Sequence, residues 1–69
     1  MEIIKLRDEY IKLGQALKAS GLAGSGVDAK MIIIDGLVKV NGQVEYKRGK
    51  KLYDGDIVSY NGEEVKIVK

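Results

Sequence analysis

Apolar residues recur along this chain in more than one rhythm, and each rhythm predicts a different element. "MEIIKL" is short, β-branched and only weakly alternating, which suits an edge strand at the N-terminus. Leu13, Ala16 and Leu17 then fall at spacings of three and four, one face of a helix. Asp8 upstream supplies a capping carboxylate and Gly14 weakens the early part, so the helix is placed from about Leu13 to Ser20, ended by Gly21. "GLAGSG" follows as a loop of small residues anchored by Leu22. Ser25 is a fitting N-cap, with Asp28 three residues on to complete a near capping box. "MIII" has β propensity, yet the cap before it and Gly36 after it bracket a segment of helical length. On that second helix Ala29, Ile32, Ile33 and Gly36 form the inner stripe, and Lys30 faces outward.

From Gly36 to Tyr46 the rhythm becomes that of strands, with Asn41-Gly42 marking a hairpin between two β-branched runs. A two-residue turn would pair Val40 with Gln43 and Lys39 with Val44, mixing apolar and polar groups on both faces. A three-residue loop, Asn41 to Gln43, pairs Val40 with Val44, Val38 with Tyr46 and Lys39 with Glu45, giving one apolar face. The second register is therefore expected, with Glu45 partly neutralising Lys39 and with Tyr46 and Tyr60 in the core. Beyond it, Leu52, the turn Asp54-Gly55-Asp56, and strands at Ile57–Tyr60 and Val65–Val68 complete the chain, with Val58, Tyr60, Val65 and Ile67 on a shared face. The order predicts an α+β domain, two short helices packed on a small antiparallel sheet of about four to five strands.

Composition narrows what such a domain can do. Its 69 residues make a single domain, 1–69, with a core near the lower size limit. Neither cysteine nor histidine is present, which removes disulfides, thiolate sites, the commonest general base and the commonest metal ligand. No metal or other cofactor is expected. No apolar run approaches the roughly 20 residues of a membrane span, and no basic-then-apolar leader opens the chain. A cytoplasmic protein without membrane partners is expected, as a monomer.

Charge changes the picture because it is uneven. Residues 1–38 carry five basic and five acidic groups. Residues 39–53 carry Lys39, Lys47, Arg48, Lys50 and Lys51 against Glu45 alone, so the net is 5 − 1 = +4, and residues 54–69 carry −2, for a total of +2. A local field of one sign steers polyanions. Lysines act as point charges, Arg48 can grip two phosphate oxygens, and Gly49 lets the backbone approach closely. About four neutralised phosphates give a log–log salt slope of about −3 to −4 and micromolar binding. Tyr10 and Tyr53 are open to stacking on unpaired bases. Catalysis is poorly supported, since Asp54 and Asp56 flank a glycine in ordinary turn chemistry and no serine has a base partner.

The ordered set Gly21-Leu22-Ala23, Ser25, Ala29, Ile33, Gly36, Val38, Val40 and Asn41-Gly42 resembles the helix–loop–helix and hairpin of the ribosomal-protein-S-four-type RNA-binding domain, or alpha-L motif. The continuation "VEYKRGKKLYDGDIV" is similar to its small free-standing, YaaA/YbcJ-like members. The resemblance spans about Ile11 to Val68. It implies binding to structured RNA, ribosomal or transfer RNA, along the helix pair and hairpin. By position it implies Gln15 and Lys18 on the first helix, Lys30 on the second, and Lys39 with Asn41 at the hairpin, continued by Lys47, Arg48, Lys50 and Lys51. Family members often carry Arg-Leu-Asp where Lys12-Leu13-Gly14 stands, and arginines at the positions of Gly26 and Met31, so the helical part of the surface is less basic here. The alternative reading is a β-grasp-like adaptor that binds an acidic protein; a DNA-binding role is disfavoured by the lack of a basic helix of major-groove type.

Overall fold

The computed structural model describes residues 1–69. In chain order it contains β1 (Glu2–Lys5), β2 (Ile11–Lys12), α1 (Leu13–Ala19), α2 (Gly26–Ile34), β3 (Val38–Val40), β4 (Gln43–Val44), β5 (Lys51–Leu52), β6 (Ile57–Tyr60) and β7 (Glu63–Val68). Five strands form one sheet in the order β1-β7-β6-β3-β4, while β2 and β5 pair as a separate two-stranded ribbon. The expected α+β architecture is present. Its sheet is mixed, however: β1 takes the predicted edge position and runs parallel to β7.

Period-two alternation puts Val38, Val40, Val58, Val65 and Ile67 on the buried face of the sheet, against Leu13, Ala16 and Leu17 of α1 and Ala29 and Ile33 of α2. Leu6, Ala23 and Leu52 close the margins of this core, which contains no buried polar or charged residue. Its stability therefore rests on apolar burial, as the composition required. Leu22 packs against the core from the interhelical loop. Ser25 caps α2 as predicted, its Oγ accepting the Asp28 N–H at 3.1 Å.

Asp8 does not cap α1. The extended residues of β2 intervene, and the N-cap position falls to Lys12, whose side chain makes no cap bond.

The hairpin register also differs from expectation. Lys39 pairs with Val44 and Val40 with Gln43, so the turn has two residues, with Asn41 at φ 52 and Gly42 at φ 83. Both central residues in the left-handed region make a turn whose twist matches that of the strands. The premise that favoured the other register, an apolar face completed across the hairpin, does not hold. The buried face of β3 is completed by β6, through Val38 opposite Tyr60 and Val40 opposite Val58. β4 is a short edge strand with both residues exposed. Tyr46 leaves the sheet, 63% exposed, and lies against Gly36, where an added Cβ would stand 3.2 Å from its ring. Glu45 does not pair with Lys39; its carboxylate accepts the Tyr46 and Lys47 amides at 3.1 and 3.2 Å. Tyr60 packs against the core as predicted.

Candidate nucleic-acid interface

An α-helix begins with amide groups that no residue of the helix can satisfy. In α1 two of them are met from a distant part of the chain: the Leu13 N–H donates to the Lys50 carbonyl at 2.8 Å and the Gly14 N–H to the Arg48 carbonyl at 3.0 Å. The donating segment is a tight turn, closed by the Lys50 N–H on the Lys47 carbonyl at 3.1 Å. The basic turn is thus the cap of α1, which fixes its backbone against the helix.

Gly14 makes the approach possible. A Cβ at this position would lie 2.7 Å from Cγ of Arg48, so the aliphatic stem of the arginine crosses the helix where a side chain is missing. The residue that weakens α1 by propensity is the one that admits Arg48. Arg48 and Gly49 border a groove of about 360 Å³ with Lys12, Gln15 and Lys18 of the α1 side and Gly26 and Ala29 of α2.

The sequence-predicted residues divide among several places. Gln15, Lys18 and Arg48 share this groove, and Lys12, which sequence reasoning passed over, joins them. Lys50, Lys51 and Asn41 border a second concavity, of about 320 Å³, with Tyr53 and Asp56. Lys47 is exposed at the start of the turn and Lys30 is exposed on α2, outside the groove. Lys39 lies elsewhere: its neighbours Val38 and Val40 are buried toward the helices, so its side chain stands on the opposite face of the sheet, beside Ser59 and Glu64. Asn41 is occupied. Its Nδ2 donates to Asp56 Oδ1 at 3.0 Å and its Oδ1 accepts the Ile57 N–H at 2.9 Å.

The lysine and arginine head groups take no part in the molecule's side-chain hydrogen bonds, which are made by Ser20, Ser25, Asn41, Glu45, Asp54 and Asp56. Lys12 is moreover set directly opposite Lys51 across the β2–β5 pair. Like charges in that relation are destabilising by themselves. In sequence the two segments run in opposite order of tyrosine, aliphatic residue and lysine, Tyr10-Ile11-Lys12 against Lys51-Leu52-Tyr53.

The family profile described as the S4 domain matches residues 4–68. The chain belongs to the S4 domain family. Among its relatives, YbcJ of Escherichia coli (strain K12) is 39% identical over 59 residues, covering 86% of this chain and 84% of the relative. A protein of Bacillus subtilis (strain 168) named "Probable ribosome maturation protein RlbA" is 41% identical over 59 residues, covering 86% of this chain and 83% of its own. The solution structure of E. coli YbcJ superimposes with a TM-score of 0.76 at 36% identity, over 100% of this chain and 89% of the other, and is described as revealing an alfaL motif involved in RNA-binding. In this S4 domain the helix pair and hairpin of that motif are α1, α2 and β3–β4, and the groove lies where α1 meets α2 and the basic turn.

Proposed function

We propose that this S4 domain binds structured RNA, ribosomal or transfer RNA, in the groove bordered by Lys12, Gln15, Lys18 and Arg48, and that it acts as a binding module without catalysis. The observation that carries the reading is the capped turn: a backbone held by α1 presents Arg48 beside two lysines whose charge no carboxylate hydrogen-bonds. The alfaL motif described for YbcJ and the ribosome maturation role in the name of the B. subtilis relative support RNA as the polyanion and favour ribosomal RNA. Recognition is through shape and backbone phosphates, since the groove is lined by cations and an amide and by no aromatic ring.

The test is an anisotropy titration against ribosomal and transfer RNA over a range of salt. Replacing Lys12, Lys18 and Arg48 together by alanine is expected to weaken binding to all RNAs and to flatten the log–log salt slope by about 2 to 3, at about 0.7–0.9 per lost phosphate contact. Lys39→Ala, on the far face, leaves both nearly unchanged. Equal behaviour of the two variants would reject the groove.

One observation favours the adaptor reading as a second choice: Val27, Met31 and Ile34 are exposed along the outer side of α2. Competition separates the two, because a protein partner retained in the presence of excess ribosomal RNA would place that partner on a surface other than the groove.

A further inference from the structure

The ribbon of β2 and β5 has two unlike faces. Ile11 pairs with Leu52 and Lys12 with Lys51, and the same register carried one residue further sets Tyr10 opposite Tyr53. Leu52 is fully buried and Ile11 packs on the core, so the alternation turns Tyr10, Lys12, Lys51 and Tyr53 together to the outside. The side chains confirm the backbone argument. The two tyrosine rings are 6.0 Å apart between centroids, tilted by 52°, and the ammonium of Lys51 stands 4.8 Å over the ring of Tyr10.

This face puts aromatic and charged groups where a small core would not place them. The chain has four tyrosines and no tryptophan or phenylalanine, and two of the four meet on one solvent-facing rung, 37% and 47% exposed. Tyr53 is held from below. Its N–H donates to Asp56 Oδ2 at 2.8 Å, its carbonyl accepts the Asp56 N–H at 3.0 Å, and Asp56 is tied in turn to Asn41 of the hairpin. The ring is therefore mounted on a rigid turn, which lowers the ordering cost of a ligand stacked on it. Successive outward residues on one strand are about 6.6–6.8 Å apart. Along such a backbone tyrosine and lysine alternate, and the rings and ammonium groups they bring together, 4.8 Å apart for Lys51 and Tyr10, suit the bases and phosphates of a single strand.

We infer that the Tyr10–Tyr53 pair with Lys12 and Lys51 is a second subsite, which takes one unpaired nucleotide of the bound RNA, its base stacked on Tyr53 and its phosphates against the lysines. The inference rests on the proposed RNA binding and adds to it the class of RNA feature that is read: a bulged or looped-out nucleotide at the edge of a helix. Lys12 belongs to both places, since it also borders the groove, and so joins the duplex-facing surface to the stacking face.

The experiment uses two RNA stems of the same sequence, one fully paired and one with a single bulged 2-aminopurine, titrated with the wild-type chain, Tyr53→Ala and Tyr53→Phe after thermal melts have verified that all three fold. Wild type is expected to bind the bulged stem about 5- to 150-fold more tightly, the range of one base–aromatic stack, with quenching of the 2-aminopurine. Tyr53→Ala loses the preference and the quenching while its affinity for the paired stem is unchanged, and Tyr53→Phe keeps both. Wild type that binds the two stems equally, or a Tyr53→Ala chain that keeps its preference, overturns the subsite while leaving the groove intact. Failure of wild type to bind either stem overturns the groove as well.

Discussion

Single residues set the geometry of this surface through what they omit or occupy. Gly14 has no side chain in the place where Arg48 crosses α1, and a Cβ there would come 2.7 Å from Arg48 Cγ. In Gly14→Ala the new methyl meets the near part of the arginine stem beside the carbonyl that accepts the Gly14 N–H, so Arg48 and its turn must shift by more than the helix propensity of about 0.5–1 kcal/mol offsets. Both the melting temperature and RNA affinity are therefore expected to fall, and a titration beside a thermal melt checks this. Asn41 is the converse case, a polar side chain with both ends engaged, at Asp56 and Ile57. Glycine tolerates the left-handed backbone of both Asn41 and Asn61. Asn41→Gly thus isolates the tertiary hydrogen bonds and is expected to cost about 1–2 kcal/mol in denaturant melts, whereas Asn61→Gly is close to neutral. Asn41 was legible as a turn residue from Asn-Gly alone. That it also braces the Tyr53 turn was not, because Asp56 lies on the far side of two intervening strands in sequence.

At the scale of elements, the ribbon of β2 and β5 does what a longer helix cap would do elsewhere: it seats α1, buries Leu52 and aligns four outward side chains. Leu52→Ala empties a fully buried position and is expected to destabilise the fold by about 2–5 kcal/mol, measured by chemical denaturation. Lys12 and Lys51 face one another as like charges, and Lys12 stands at the positive end of α1. Lys12→Glu relieves the repulsion and complements the helix, so stability is expected to rise by about 0.5–1 kcal/mol while RNA binding weakens. Opposite signs in the two measurements mark a residue kept for a ligand at the expense of the fold. A Lys12→Glu chain that binds RNA as wild type does removes Lys12 from the interface. The two helices and the Ser25 cap of α2 could be read from the sequence, since their apolar spacing and that cap are set within a few residues, whereas the cap of α1 could not, because Lys50 and Arg48 supply it from a distant turn and Asp8 takes no part. The ribbon could not be read in that way, because strands of two residues carry no period of their own.

For the whole molecule, two of the concavities differ in the sign of the charge that borders them, while Lys39 shares a third with Glu64, and Lys50 and Lys51 share a fourth with Glu45 and Asp56. Glu2, Glu63 and Glu64 border a concavity together with the end of α1 and the β6–β7 turn, while Lys12, Lys18 and Arg48 border the groove. A polyanion is therefore met with an orienting field. Glu63→Lys with Glu64→Lys is expected to raise the association rate with RNA at low salt and to lose that gain as salt rises, with little change in the dissociation rate; stopped-flow measurement distinguishes this from a new contact, which would slow dissociation. The sequence by itself determined the fold class, the approximate extent of both helices, the identity of most core residues and the family resemblance, because helical and strand periods, the Ser25 cap and Asn-Gly turns are local and the hydrophobic effect acts on each position according to its own side chain. Tertiary structure alone decided the hairpin register, the separation of Lys39 from Arg48, the recruitment of Lys12 and the meeting of Tyr10 with Tyr53. Each of these follows from which strand completes another's buried face and which distant carbonyl satisfies a helix amide, and such choices exist only once the chain has closed on itself.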